Sequence, residues 1–105
     1  MTNGIKAAAA ILMAAFIAGP AFAAPGADTY KAKCAMCHGT DGLAATPMAK
    51  NMKVLSFKDP KMIKASDTQF FASTKNGLNK MPAYNGKLTD QQIKDVIAFI
   101  RTLQK

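Results

Sequence analysis

The sequence has one histidine, two cysteines, no glutamate and no tryptophan. That scarcity excludes a good deal. A structural zinc site needs four ligands, and beyond Cys34, Cys37 and His38 only scattered aspartates remain to supply them. No stretch alternates apolar and polar residues for long enough to make a sheet, and no segment repeats. Acid is scarce too: six Asp against fourteen Lys and Arg give a formal net charge of +8. A chain of 105 residues holds one domain at most, which excludes multidomain enzymes and multi-span membrane proteins.

What is present is unevenly spread. Seventeen of the first 23 residues are hydrophobic, against 35 of the remaining 82. Lys6 opens the leader, residues 7–18 contain no polar residue, Gly19-Pro20 breaks the run, and Ala21-Phe22-Ala23 sets small residues at −3 and −1 of a cut before Ala24. A weakly basic start, a short apolar run and an A-x-A site predict a secretory signal peptide over residues 1–23, with residues 24–105 as the functional domain. An uncleaved anchor needs about 20 apolar residues, and this run is shorter. No cysteine sits near the cut, which speaks against a lipid anchor. Export to a bacterial periplasm is the expected destination. There, the +7 of the body suits an acidic protein partner or a membrane surface better than nucleic acid.

A body of 82 residues builds little core by itself, so a disulfide, a metal or a bound apolar cofactor is expected to help. Both cysteines and the only histidine lie in Cys34-Ala35-Met36-Cys37-His38. Cys-x-x-Cys-His is a haem-attachment pattern. Two cysteines three apart share a helix face, so each thiol can add across one vinyl group of a haem. The next residue, His38, is then held beside the iron as an axial ligand. A thioredoxin-like reading needs a strand before Cys34, and none is legible. A simple disulfide leaves His38 unexplained.

Residues 27–36 read as a first helix running into this motif. Gly39, Asp41 and Gly42 mark an exit turn, and residues 48–64 read as one or two short helices. Ser66-Asp67-Thr68-Gln69 and Thr89-Asp90-Gln91-Gln92 are capping boxes that start two further helices. The first should end at Asn76-Gly77. The second carries Ile93, Val96, Ile97 and Ile100 at helical spacing, widened by Phe99 and Leu103, as a core-facing stripe.

One imidazole leaves the other axial position to be filled, and the chain has no second histidine. A thioether suits an electron-transfer iron, because soft sulfur favours the ferrous state. The methionines of the body are Met36, Met48, Met52, Met62 and Met81. Met36 lies inside the attachment motif and cannot reach the opposite side of a haem. Met48, Met52 and Met62 sit in the short-helix region, where methionine commonly fills gaps. Met81 lies in a loop, residues 76–87, and Pro82 biases it toward an extended conformation.

Together these residues resemble a class I cytochrome c of the small, single-haem bacterial kind. The resemblance spans nearly all of residues 24–105. Met81-Pro82-Ala83-Tyr84 resembles the methionine loop of that family, and so implies Met81 as the distal ligand, with Met62 in reserve. Gly26 and Tyr30 resemble the small and aromatic pair on the family's first helix, and Val96 and Phe99 the pair on its last. Pro47 resembles the proline whose carbonyl accepts a hydrogen bond from the proximal imidazole.

The resemblance implies an all-α fold of three to five helices wrapped around one covalently bound haem c, with first and last helices crossing. It implies a monomeric one-electron carrier rather than an enzyme. Partners would be a membrane oxidase, a reductase complex or a dehydrogenase, met through a ring of Lys33, Lys50, Lys75, Lys80 and Lys87. A haem enzyme or gas sensor would need an open distal face, and a fixed subunit of a larger complex would share the same chemistry.

Overall fold

The structure, a computed structural model, describes residues 25–105. The leader read over residues 1–23 lies outside the described residues. Among these, six helices are present: α1 Ala27–Lys33, α2 Ala35–His38, α3 Pro47–Met52, α4 Pro60–Lys64, α5 Asp67–Asn76 and α6 Asp90–Leu103. Extended pairing among the described residues is confined to two isolated bridges, Leu78 with Met81 and Asn85 with Leu88. None of the described helices is long and apolar enough to cross a membrane.

Local chemistry sets each boundary. Both capping boxes form: Ser66 Oγ accepts from the Gln69 amide at 3.1 Å while Gln69 Oε1 accepts from the Ser66 amide at 2.8 Å. Thr89 and Gln92 repeat the arrangement at 3.1 and 2.8 Å. Such caps stabilise by about 1 kcal/mol each. Pro47 and Pro60 occupy first helical positions, where the missing amide hydrogen costs nothing. Helix α5 ends at Gly77, whose φ of 83° is one that a side chain would resist.

The expected first helix is two helices. At Cys34 the backbone departs to φ −116°, ψ −32°, and α2 restarts with Cys34 as its cap. This break raises the count to six, above the three to five expected.

The core lies under α6. Ile93, Val96, Ile97 and Ile100 are all buried, as their spacing predicts, together with Tyr30, Phe57, Phe70 and Leu88. Each such side chain contributes about 1.5–3 kcal/mol of transfer free energy. Helices α5 and α6 pack antiparallel. Arg101 near the end of α6 meets Asp67 at the start of α5 at 2.8 Å, and Lys75 near the end of α5 meets Asp90 at the start of α6 at 3.1 Å. Helix α1 crosses α6 where Gly26 faces the backbone of Asp95 and Val96, and Tyr30 packs on Phe99 with ring centroids 5.2 Å apart.

Candidate functional site

Beside this core the fold leaves a cavity of about 730 Å³. Cys34, Cys37 and His38 line it from the α1–α2 break and α2. Val96 and Ile100 line it from α6, Phe70 and Thr74 from α5, and Met81 and Tyr84 from the loop between those two helices. At i, i+3 and i+4, all three residues of the motif share one face of the turn and so one wall. His38 donates its amide to the Cys34 carbonyl at 2.9 Å, so the motif closes on itself as a single turn.

Several hydrogen bonds brace that turn. Tyr30, buried, donates its hydroxyl to the Gly39 carbonyl at 2.7 Å. Thr46 donates to the Cys37 carbonyl at 3.2 Å while capping α3 through the Ala49 amide at 3.0 Å. The Ala44 amide reaches the His38 carbonyl at 2.9 Å, and the Phe57 amide reaches the Gly42 carbonyl at 2.9 Å. Gly42 permits this approach, since a Cβ there would lie 2.9 Å from the Phe57 ring.

The His38 imidazole stacks on Phe57, centroids 4.7 Å apart and planes 17° from parallel. Its Nδ1 is buried with no hydrogen-bond partner. The carbonyl of Pro47 therefore does not accept from the imidazole as the resemblance implied. Thr46 and Pro47 begin α3, and that helix is tied to the motif through Thr46 and the Cys37 carbonyl instead. Burial pushes the imidazole below its usual pKa, which favours the neutral ring, the form whose lone pair can bind a metal. Burial, and then the neighbouring Cys37, push the Cys34 thiol up to about 11.

On the loop wall, Leu78 and Met81 exchange backbone hydrogen bonds of 3.1 and 2.9 Å around Asn79, which adopts a left-handed φ of 54°. Met81 is half-buried. Gly77 lets the loop fold back, because a Cβ there would lie 3.0 Å from the Met81 carbonyl. The Tyr84 amide donates to the Thr74 carbonyl at 2.9 Å, and its hydroxyl donates to the Lys33 carbonyl at 2.9 Å. Burial raises the Tyr84 phenol above its ordinary pKa, as do the nearby cysteines.

The cavity sorts the methionines. Met52, Met62 and Met81 line it; Met36 is 73% exposed, and Met48 lies outside the lining with its sulfur 3.5 Å from Cys37 Sγ. Lysines line it too. Of the five expected, Lys33 and Lys80 line the cavity, joined by Lys53, Lys61 and Lys64, which sequence position did not single out. Lys75 is instead engaged with Asp90 and with the Phe71 ring, and Lys87 sits over Tyr84. Phe57 and Tyr84 also went unread as site residues; the aromatic three places after Met81 was the available signal for the second.

An apolar cavity of this size fits a large flat apolar group. Two thiols and a buried imidazole whose Nδ1 has no protein partner form the donor set that a covalently held haem requires.

Comparison with known proteins agrees. Residues 21–100 match the family described as cytochrome c oxidase, cbb3-type, subunit III. The chain is 37% identical over 84 residues to cytochrome c6 of Limnospira maxima, covering 73% of this chain and 88% of that one. It is 35% identical over 85 residues to the cytochrome c subunit of the quinone-dependent alcohol dehydrogenase of Gluconacetobacter polyoxogenes, covering 74% of this chain but only 18% of that much longer protein. The solved KustC0563 c-type cytochrome superposes with a TM-score of 0.70 at 27% identity, over 76% of this chain and 98% of that one.

Fold and cavity thus define a small helical single-haem protein. The chain belongs to the class I c-type cytochromes, a family whose members bind haem c covalently.

Proposed function

We propose that Cys34 and Cys37 attach haem c through thioether bonds, that His38 and Met81 are its axial ligands, and that the protein is an exported carrier between respiratory redox partners, with residues 24–105 as its working unit. The observation that carries this reading is the convergence of the cysteine pair, His38 and Met81 on one apolar cavity from segments more than forty residues apart.

When bound, haem c supplies a one-electron Fe(III)/Fe(II) couple. The chain supplies the rest. Phe57 holds the His38 plane by stacking, while Val96, Ile100 and Phe70 keep water from the interior wall. Met81 contributes a soft sulfur, which favours the reduced state.

Lys33, Lys53, Lys61, Lys64 and Lys80 place positive charge around the cavity, which favours brief, salt-sensitive encounters with an acidic surface. The alcohol dehydrogenase subunit among the relatives supports a dehydrogenase as one electron donor, and the cbb3-type oxidase description supports an oxidase as acceptor.

Absorption spectra of the oxidised and reduced protein test the ligands. Met81→Ala should abolish the weak far-red ferric band of a sulfur-ligated haem, while Met62→Ala should keep it. The reverse result would transfer the role to Met62. Rapid, tight carbon monoxide binding by the ferrous protein at neutral pH would overturn the six-coordinate carrier.

A further inference from the structure

The loop over residues 77–88 holds Met81 with few tethers. Its internal bonds join Leu78 to Met81 and Tyr84 to Lys87 and Leu88. Three backbone bonds, from Gly77 to the Ser73 carbonyl, from Tyr84 to the Thr74 carbonyl and from Asn85 to the Lys75 carbonyl, tie it to the end of α5. None of these connects the loop to the segment that carries Cys34, Cys37 and His38. Among the described residues one hydrogen bond does: the Tyr84 hydroxyl donates to the Lys33 carbonyl, 2.9 Å away and 51 residues distant in sequence.

The acceptor is not incidental. A continuous helix would satisfy the Lys33 carbonyl with the amide of Cys37. Because the helix breaks at Cys34, that amide turns to the Cys34 carbonyl instead, at 3.2 Å. The break at Cys34 therefore leaves the Lys33 carbonyl without its helical donor. Lys33 is exposed, so water is the alternative partner for this carbonyl; Tyr84 supplies a donor from the opposing segment instead. The Tyr84 side chain itself lines the cavity, three residues after Met81.

We infer that Tyr84 is the positioning residue for Met81: its hydroxyl latches the methionine loop to the attachment segment and sets how readily an outside ligand displaces the methionine from the iron. The inference rests on the reading of Met81 as a ligand. Displacement requires the loop to swing away, and swinging away breaks the bond to Lys33. Removing the hydroxyl removes that cost and leaves the ring, the cavity wall and the ligand atoms in place.

The test uses the haem-loaded protein and imidazole as the probe, titrated into the ferric form while the far-red sulfur band is followed. Tyr84→Phe should bind imidazole about two- to tenfold more tightly than the unaltered protein, the range expected for one net hydrogen bond. Ser66→Ala weakens the α5 cap without touching the loop and should leave the imidazole affinity unchanged. Equal affinity in Tyr84→Phe and the unaltered protein would overturn the latch. So would an equal gain in Ser66→Ala, which would reduce Tyr84 to a general contributor to stability. Met81→Ala separates the two readings: if it keeps the far-red band, the ligand assignment fails, whatever Tyr84 does.

Discussion

Gly26 and Asp95 meet backbone to backbone where α1 crosses α6. A Cβ on Gly26 would stand 2.8 Å from the Val96 nitrogen and closer still to the Asp95 carbonyl, and Gly26 has φ 94°. Two independent reasons thus require glycine. Gly26→Ala should cost about 2–4 kcal/mol, combining overpacking with a left-handed backbone that a side chain resists. Chemical denaturation of the haem-loaded protein measures it, and an unchanged midpoint would contradict the close approach.

The haem should be structural as well as functional. Without it, the apolar cavity walls formed by Phe70, Val96 and Ile100 would be left to water. The haem-free double variant Cys34→Ser/Cys37→Ser should lose much of its helical circular dichroism and its slowly exchanging amides in α1 and α6. Retention of full helicity would show that the core suffices alone.

Tyr30 should make the fold sensitive to alkali. Burial is the main reason its phenol is held well above the ordinary value of 10.0, with Asp41 adding to it. The unfolded chain releases this proton near pH 10 while the folded chain keeps it. The stabilising contribution is thus complete below pH 10 and lost as pH rises toward the folded value. The loss should approach about 1.4 kcal/mol per pH unit. Tyr30→Phe should be less stable at neutral pH, lacking the 2.7 Å bond to Gly39, and should show a shallower decline above pH 10.

Arg101 and Asp67 should not be equal partners. Arg101 also donates to the Ala65 carbonyl at 2.6 Å and to Gln104 at 3.0 Å, and stacks on Phe70 at 4.5 Å. Asp67→Ala removes an exposed pairing and should cost under about 1 kcal/mol. Arg101→Ala removes the stack and the buried-side bonds as well, and should cost about 2–3 kcal/mol. Thermal unfolding of the two variants checks the order.

The redrawn lysine distribution makes a kinetic prediction. Lys61→Gln and Lys80→Gln should slow reduction by an acidic partner and flatten its dependence on salt. Lys75→Gln, whose amine already pairs with Asp90, should do so least. A rate indifferent to ionic strength as the Debye length falls to about 8 Å at 0.15 M would remove the steering argument.

Much of this was legible from residue order. The attachment triplet, both capping boxes and the α6 stripe are short-range patterns: each depends on residues within eight of one another, whose spacing on a helix is set by covalent geometry. The haem motif was therefore readable before any fold was known, and so was the need for a cofactor, from the shortage of core.

Tertiary packing decided what depended on distant segments. Pro47 lies in the expected stretch, yet its carbonyl leaves His38 Nδ1 unpartnered because Thr46 and Pro47 are used to start α3. Lys53, Lys61 and Lys64, not Lys50, Lys75 and Lys87, join the cavity wall because the turns of α3 and α4 aim them there. The break at Cys34, and the Tyr84 hydroxyl that answers the carbonyl it leaves free, exist only once residues 33 and 84 lie side by side. The sequence by itself determined which chemical groups the protein carries and where its helices start. Only the folded chain, by bringing segments dozens of residues apart around one cavity, decided which of those groups face each other.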